Sequence, residues 1–125
     1  MSKRILVVED QEDNLQILRD LLTSAGFEVI EAKDGEEGVR AAVAECPDLI
    51  LMDIQLPLLD GYEATRRIRV ISELKQTPII AVTSYALSGD EAKAREAGCD
   101  GYVTKPFSPR ALLAKVREYL PGENS

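Results

Sequence analysis

Residues 47–63 have the sequence Pro-Asp-Leu-Ile-Leu-Met-Asp-Ile-Gln-Leu-Pro-Leu-Leu-Asp-Gly-Tyr-Glu, and their apolar centre decides the fold. The four residues 49–52 are apolar without interruption. A strand with one solvated face would alternate between apolar and polar residues, whereas a strand of a parallel sheet is covered on both faces. The run therefore predicts a buried parallel strand, with Asp53 directly at its carboxyl end.

Short apolar runs and amphipathic stretches alternate along the rest of the chain. The apolar runs predict strands at residues 5–8, 27–31, 49–52, 78–82 and 101–103. Apolar residues at helical spacing predict helices at residues 14–25, 35–45, 63–71, 90–97 and 109–120. This order predicts an α/β fold, a doubly wound, flavodoxin-like parallel sheet of five strands in the order 2-1-3-4-5. We expect a single domain over residues 1–125, with a core of about 3–120 and a tail at 121–125.

The composition excludes several classes of function. The chain has 15 Lys and Arg against 22 Asp and Glu, two cysteines and no histidine. It therefore cannot supply a histidine base, a histidine metal site or a four-cysteine zinc site. Its net charge of −7 opposes binding to nucleic acid or to anionic lipid. The apolar run 5–8 is too short for a signal peptide or a membrane span, so we expect a cytoplasmic protein.

Chemically matched side chains follow four of the five predicted strands. Glu9 and Asp10 follow the first strand, and Asp53 follows the third. Thr83 and Lys105 follow the fourth and fifth strands. Each residue alone is ordinary in a loop, but ligands of doubly wound sheets bind at the carboxyl ends of the strands. Clustered carboxylates repel unless a hard cation such as Mg²⁺ offsets them. Together these residues predict a phosphoryl-transfer site with a carboxylate nucleophile.

Four segments carry a resemblance to a known family. They are ILVVEDQEDN at 5–14, PDLILMDIQLPLLDGYE at 47–63, PIIAVTSYA at 78–86 and GCDGYVTKPF at 98–107. Over residues 3–120 the sequence resembles the receiver domain of two-component response regulators, most of all the stand-alone kind. The resemblance implies that Asp53 is the phosphoacceptor. It also implies that Glu9, Asp10, Asp53 and the backbone carbonyl of Gln55 bind Mg²⁺.

The resemblance assigns roles to the residues after the last two strands as well. Thr83 would bond a phosphoryl oxygen and shift on activation, and Lys105 would pair first with Asp53 and then with its phosphate. Tyr102 would be the aromatic switch residue that turns inward on phosphorylation. Pro106 would follow a cis peptide bond.

The implied function is a phosphorylation-dependent signalling switch. Because the chain has no histidine, the phosphohistidine must belong to a histidine kinase or a histidine phosphotransfer protein. The chain would act on its own aspartate and not as a turnover enzyme. The signal would pass by onward phosphorelay or by contact with a downstream protein at the last two helices near Tyr102. We expect a monomer or a weak dimer.

Several alternatives stay open from the residues alone. The chain could be a receiver fragment of a hybrid histidine kinase or of a larger regulator, or a degenerate receiver that only binds proteins. A flavodoxin-like cofactor binder is disfavoured because acidic residues 9–13 would repel a phosphate. A phosphatase of the Asp-x-Asp type is disfavoured because residue 55 is Gln and cannot act as its general acid.

Gln55 and Tyr85 have two open interpretations. In the resembling family such positions tune how water reaches the acyl phosphate, and a bulky Tyr85 would then lengthen the lifetime of phosphorylated Asp53. Alternatively, both side chains merely line the rim of the site.

The remaining expectations are structural. We expect Cys46 and Cys99 to be small, buried or half-buried residues at the amino edge of the sheet. Arg66, Arg67 and Arg69 predict a solvated basic face on the third helix.

Overall fold

The computed structural model describes residues 3–56, 59–83, 90–105 and 107–120, and within them strands and helices alternate as predicted. The strands are β1 (Arg4–Val8), β2 (Glu28–Ala32), β3 (Leu49–Asp53), β4 (Ile79–Thr83) and β5 (Gly101–Thr104). The helices are α1 (Glu12–Ser24), α2 (Gly35–Glu45), α3 (Gly61–Arg69), α4 (Asp90–Ala97) and α5 (Pro109–Glu118), with a short 3-10 helix at Ser72–Leu74. None of the described helices is long and apolar enough to cross a membrane.

The sheet confirms the predicted topology. Its five strands are parallel and lie in the order β2-β1-β3-β4-β5. In its register Val8 pairs with Met52, and Asp53 pairs with Val82. The carboxyl ends of β1, β3 and β4 therefore meet at one edge of the sheet, where ligands of this topology bind.

Two apolar layers cover the two faces of the sheet. Leu6 and Val8 of β1 belong to the layer that holds buried residues of α2, α3 and α4. Ile5 and Val7 belong to the layer that holds buried residues of α1 and α5. Because successive strand residues point to opposite faces, an uninterrupted apolar run serves both layers, as the sequence of β3 predicts.

Local capping explains where α3 begins. Helix α3 begins at Gly61, two residues earlier than predicted, because the Asp60 side chain accepts a hydrogen bond from the Glu63 N–H at 2.9 Å. Helix α1 ends before Gly26, as predicted, and this glycine has a φ of 97° that other residues rarely adopt.

The expectation that Cys46 is buried or half-buried is wrong. Cys46 is exposed, and it follows the last residue of α2 in a left-handed conformation with a φ of 46°. Val43 of the same helix is also exposed. Cys99 is buried as expected, and Arg66 and Arg67 are exposed and pair with a neighbouring glutamate.

Arg69 departs from the predicted basic face because its side chain turns inward, with only 18% exposed. It donates to the backbone carbonyl oxygens of Gly98 at 2.8 Å, Leu74 at 2.9 Å and Thr77 at 2.7 Å. It also pairs with Asp100 at 2.7 Å. One guanidinium therefore joins α3 to the segments that precede β4 and β5.

Arg69→Met is expected to lower the free energy of unfolding by about 1 to 2 kcal/mol, because it leaves several backbone carbonyls without their donor. Urea denaturation measures the change. Arg67→Met is the matched control: that side chain is exposed and pairs with Glu63, so its loss should cost less than about 0.5 kcal/mol. Equal costs for the two variants would contradict the proposed role of Arg69.

Candidate functional site

Three carboxylates meet at the carboxyl edge of the sheet. Glu9 and Asp10 follow β1, and the Glu9 N–H continues the strand ladder by donating to the Ala32 carbonyl at 2.9 Å. Asp53 is the last residue of β3. One oxygen of each side chain lies within 4.8 Å of the others. Glu9 and Asp53 are buried, with 1% and 3% exposed, and Asp10 is half-buried. Carboxylates this close repel strongly unless a cation lies among them.

Lys105 supplies one positive charge to this cluster. Its Nζ lies 2.8 Å from Glu9 Oε1 and 3.3 Å from Asp53 Oδ2. Its backbone N–H donates to the Thr83 carbonyl at 2.7 Å, which extends the β4–β5 pairing by one residue. That pairing fixes the position of the Lys105 backbone at the carboxyl edge of the sheet. The sequence predicted the contact with Asp53 but not the shorter one with Glu9.

The electrostatics of the cluster follow from burial and crowding. Burial raises the pKa of Asp53, and the Glu9 carboxylate raises it further against the opposing effect of Lys105, to about 7. Burial lowers the pKa of Lys105, but its hydrogen bond to Glu9 and the charges of Asp53 and Glu9 outweigh burial, so that the pKa is raised. Lys105 therefore stays charged beside carboxylates that cannot all ionise without cost.

Gln55 contacts both Asp53 and Thr83. Its backbone N–H donates to Asp53 Oδ1 at 3.0 Å. Its side-chain Nε2 lies 2.7 Å from Oγ1 of Thr83, a hydroxyl that is almost fully buried. Sequence reasoning missed this side-chain bond. The sequence held one indication of this contact, because residues 55 and 83 follow neighbouring strands of the predicted sheet.

Gly61 lets α3 begin directly against the end of β3. A Cβ at this position would lie 2.3 Å from the backbone oxygen of Asp53 and 2.7 Å from the Cα of Ile54. The Gly61 N–H also donates to the Ile54 carbonyl at 3.1 Å. The first turn of α3 therefore packs directly against the backbone of Asp53.

The structure brings together Glu9, Asp10, Asp53, Gln55, Thr83 and Lys105, all of them residues that sequence analysis assigned to the site. Tyr102 lies in β5 opposite Ala81 of β4, half-buried against the apolar layer of α2, α3 and α4. Tyr85 and Pro106 lie outside the described residues, so their roles stay predictions.

The donor set fits a hard divalent cation. The three clustered side chains offer only carboxylate oxygens. Oxygen donors select Mg²⁺, Ca²⁺ or Mn²⁺ over metals that prefer nitrogen or sulfur. Mg²⁺ is held by few protein ligands and retains several waters, which suits an open edge of a sheet.

Comparisons with known proteins agree with this site. The family described as response regulator receiver domain matches residues 5–117. The polar-differentiation response regulator DivK of Brucella ovis is 42% identical over 120 residues, which cover 96% of this chain and 98% of DivK. DivK of Brucella anthropi has the same identity and coverage.

Solved structures show the same fold. The receiver domain of sensor histidine kinase PA1611 from Pseudomonas aeruginosa, with magnesium coordinated in its active-site cleft, is 39% identical with a TM-score of 0.90, over 96% of this chain and 98% of its own. The chemotaxis protein CheY4 of Vibrio cholerae is 29% identical with a TM-score of 0.91, over 95% and 99%. The chain belongs to the response regulator receiver domain family, whose function is phosphorylation-dependent signalling.

Proposed function

We propose that Asp53 accepts a phosphoryl group from the phosphohistidine of a histidine kinase or a histidine phosphotransfer protein. The observation that carries this proposal is the convergence of three carboxylates and one lysine at the carboxyl edge of the sheet. Family membership supports it, because phosphorylation-dependent signalling is what receiver domains do.

Mg²⁺ is the cofactor that this site fits. Glu9, Asp10 and Asp53 would hold it, together with the backbone carbonyl of Gln55. When bound, the ion offsets negative charge on the phosphoryl oxygens. The magnesium in the cleft of the Pseudomonas aeruginosa receiver domain supports this assignment.

Asp53, Lys105 and Thr83 have separate roles in the proposed phosphoryl transfer. A carboxylate oxygen of Asp53 forms the new bond to phosphorus as the phosphorus–nitrogen bond breaks, and its electron pair returns to the imidazole of the donor. Lys105 already lies 3.3 Å from Asp53, within reach of the phosphoryl oxygens that arrive there. Its fixed positive charge stabilises negative charge on them. The hydroxyl of Thr83 donates a hydrogen bond to one of these oxygens.

The phosphorylated state would signal through a surface rather than by turnover of a free substrate. Tyr102 is the residue through which we expect the change to reach α4 and α5, where a downstream protein would bind. Its position in β5, half-buried beside the apolar layer that includes Ala94 of α4, supports this route. Residues 1–125 would act as one receiver domain.

Acetyl phosphate tests the proposed phosphoacceptor. With Mg²⁺ present, the protein should gain the mass of one phosphoryl group, and a chelator should prevent the gain because the carboxylate cluster then repels the phosphoryl oxygens. Asp53→Asn should gain nothing. The control Asp20→Asn changes an exposed aspartate of α1 and should behave like wild type. Mass spectrometry of the intact protein gives the answer. Uptake by Asp53→Asn, or none by wild type, would contradict the proposal.

A further inference from the structure

The side chain of Gln55 bonds the hydroxyl that the proposed function requires. Nε2 of Gln55 and Oγ1 of Thr83 are 2.7 Å apart. Thr83 is 1% exposed and Gln55 is half-buried, so the acceptor of this bond is shielded from water. A hydrogen bond to a shielded acceptor is stronger than one in water, and solvent compensates its loss only in part.

The same residue also holds the proposed phosphoacceptor. The backbone N–H of Gln55 donates to Asp53 Oδ1 at 3.0 Å, while Nζ of Lys105 donates to Asp53 Oδ2 at 3.3 Å. A substitution of the Gln55 side chain leaves the backbone N–H in place. The effect of the side chain on Thr83 can therefore be separated from the effect of the backbone on Asp53.

We propose that Gln55 is a positioning residue whose side-chain amide holds the Thr83 hydroxyl in the resting orientation. The inference rests on the proposed function, in which this hydroxyl turns to bond a phosphoryl oxygen on Asp53. The amide is the donor in this bond, so the hydroxyl keeps its own hydrogen for a phosphoryl oxygen. The shift that the proposed function gives Thr83 on activation would instead carry Oγ1 away from Nε2. The bond would then stabilise the resting state and oppose activation. A ligand shifts such an equilibrium only by its difference in affinity for the two states.

Loss of the amide should therefore favour the active state. Gln55→Met keeps an unbranched side chain of similar length and removes the donor. Beryllofluoride mimics the phosphoryl group and serves as the probe. Because the substitution removes one hydrogen bond from the resting state only, the Mg²⁺-dependent affinity for beryllofluoride should rise about 2-fold to 10-fold. The control Gln76→Met makes the same change at an exposed position outside the site and should leave the affinity unchanged.

The experiment is a double-mutant cycle read by NMR titration with beryllofluoride. Thr83→Val removes the hydroxyl and keeps the shape of the side chain. If Gln55 acts through that hydroxyl, Gln55→Met has no further effect on affinity in the Thr83→Val background. In the metal-free protein, Gln55→Met should also shift the methyl signal of Thr83, whereas Gln76→Met should not.

Other outcomes separate this proposal from the one on which it rests. An unchanged or weaker affinity in Gln55→Met would overturn the role of Gln55, as would a gain that persists in the Thr83→Val background. A change confined to the decay rate of phosphorylated Asp53 would instead assign Gln55 to water access. If beryllofluoride binds neither the wild type nor any variant, the proposed function fails. The methyl signal of Thr83 in the metal-free protein then decides whether the Gln55 side chain positions Thr83.

Discussion

Asp53→Asn is expected to raise the free energy of unfolding of the metal-free protein by about 2 kcal/mol, even though it removes the proposed phosphoacceptor. Asp53 is almost fully buried, and its carboxylate lies near those of Glu9 and Asp10. An amide keeps the shape and the hydrogen-bonding oxygen but carries no charge. The substitution therefore removes repulsion that Lys105 offsets only in part and that a bound cation would offset further.

The pH dependence of this gain has a definite sign. The pKa of Asp53 is about 7 in the folded protein, above its ordinary value of 3.8. A carboxyl with a raised pKa contributes stability at low pH and loses that contribution as the pH rises through the folded value. Wild type should therefore lose stability relative to Asp53→Asn between about pH 4 and pH 7, and the difference should be constant above that range.

Urea denaturation in a chelator at several pH values measures both effects. Asp20→Asn is again the control, since its exposed carboxylate should give no comparable gain. A variant less stable than wild type at pH 8 would show that the ionised Asp53 is held by attractive contacts that outweigh its burial. Addition of Mg²⁺ should reverse the order, because the ion stabilises only the form that binds it.

Gly61→Ala is expected to cost about 3 kcal/mol of unfolding free energy, since the new methyl group meets backbone that has little room to move. The contact distances of 2.3 Å and 2.7 Å are to main-chain atoms of Asp53 and Ile54. Relief requires α3 and the end of β3 to separate. We expect this shift to displace the Asp53 carboxylate and to slow phosphoryl uptake from acetyl phosphate by on the order of 10-fold to 100-fold.

Gly26→Ala is the matched control for this substitution. Gly26 has a φ of 97°, so alanine is strained there, but no atom lies within 4 Å of the added Cβ. It should cost about 1 kcal/mol through backbone strain, with phosphoryl uptake unchanged. Equal losses of uptake in both variants would indicate general destabilisation rather than displacement of Asp53.

Local sequence patterns predicted the sheet and the residues at its carboxyl edge. The uninterrupted run of β3 was sufficient for a strand buried on both faces, and the strand order confirmed it. Glu9, Asp53 and Lys105 could be placed together because parallel strands end at one edge. This rule depends on topology, and it needs no knowledge of how side chains pack.

The misplaced features depend on side-chain direction, which periodicity does not determine. Arg69 follows Arg66 and Arg67 in sequence, but its guanidinium donates to the backbone carbonyls of Gly98 and Thr77 near β4 and β5. Cys46 precedes a strand but is exposed, in a left-handed conformation just after α2. The bond from Gln55 to Thr83 joins residues 28 positions apart, a pairing that only the assembled sheet brings within reach.

The position of β2 at one edge of the sheet has a consequence for solubility. An edge strand presents unpaired backbone groups to which a strand of another molecule can add. In β2, Glu28 is exposed and Glu31 is half-buried, within 3.1 Å of Arg19 of α1. If a second copy of β2 docked there, the exposed carboxylate of Glu28 would be brought near that of its copy. Such a strand opposes edge-to-edge polymerisation even when the chain is abundant.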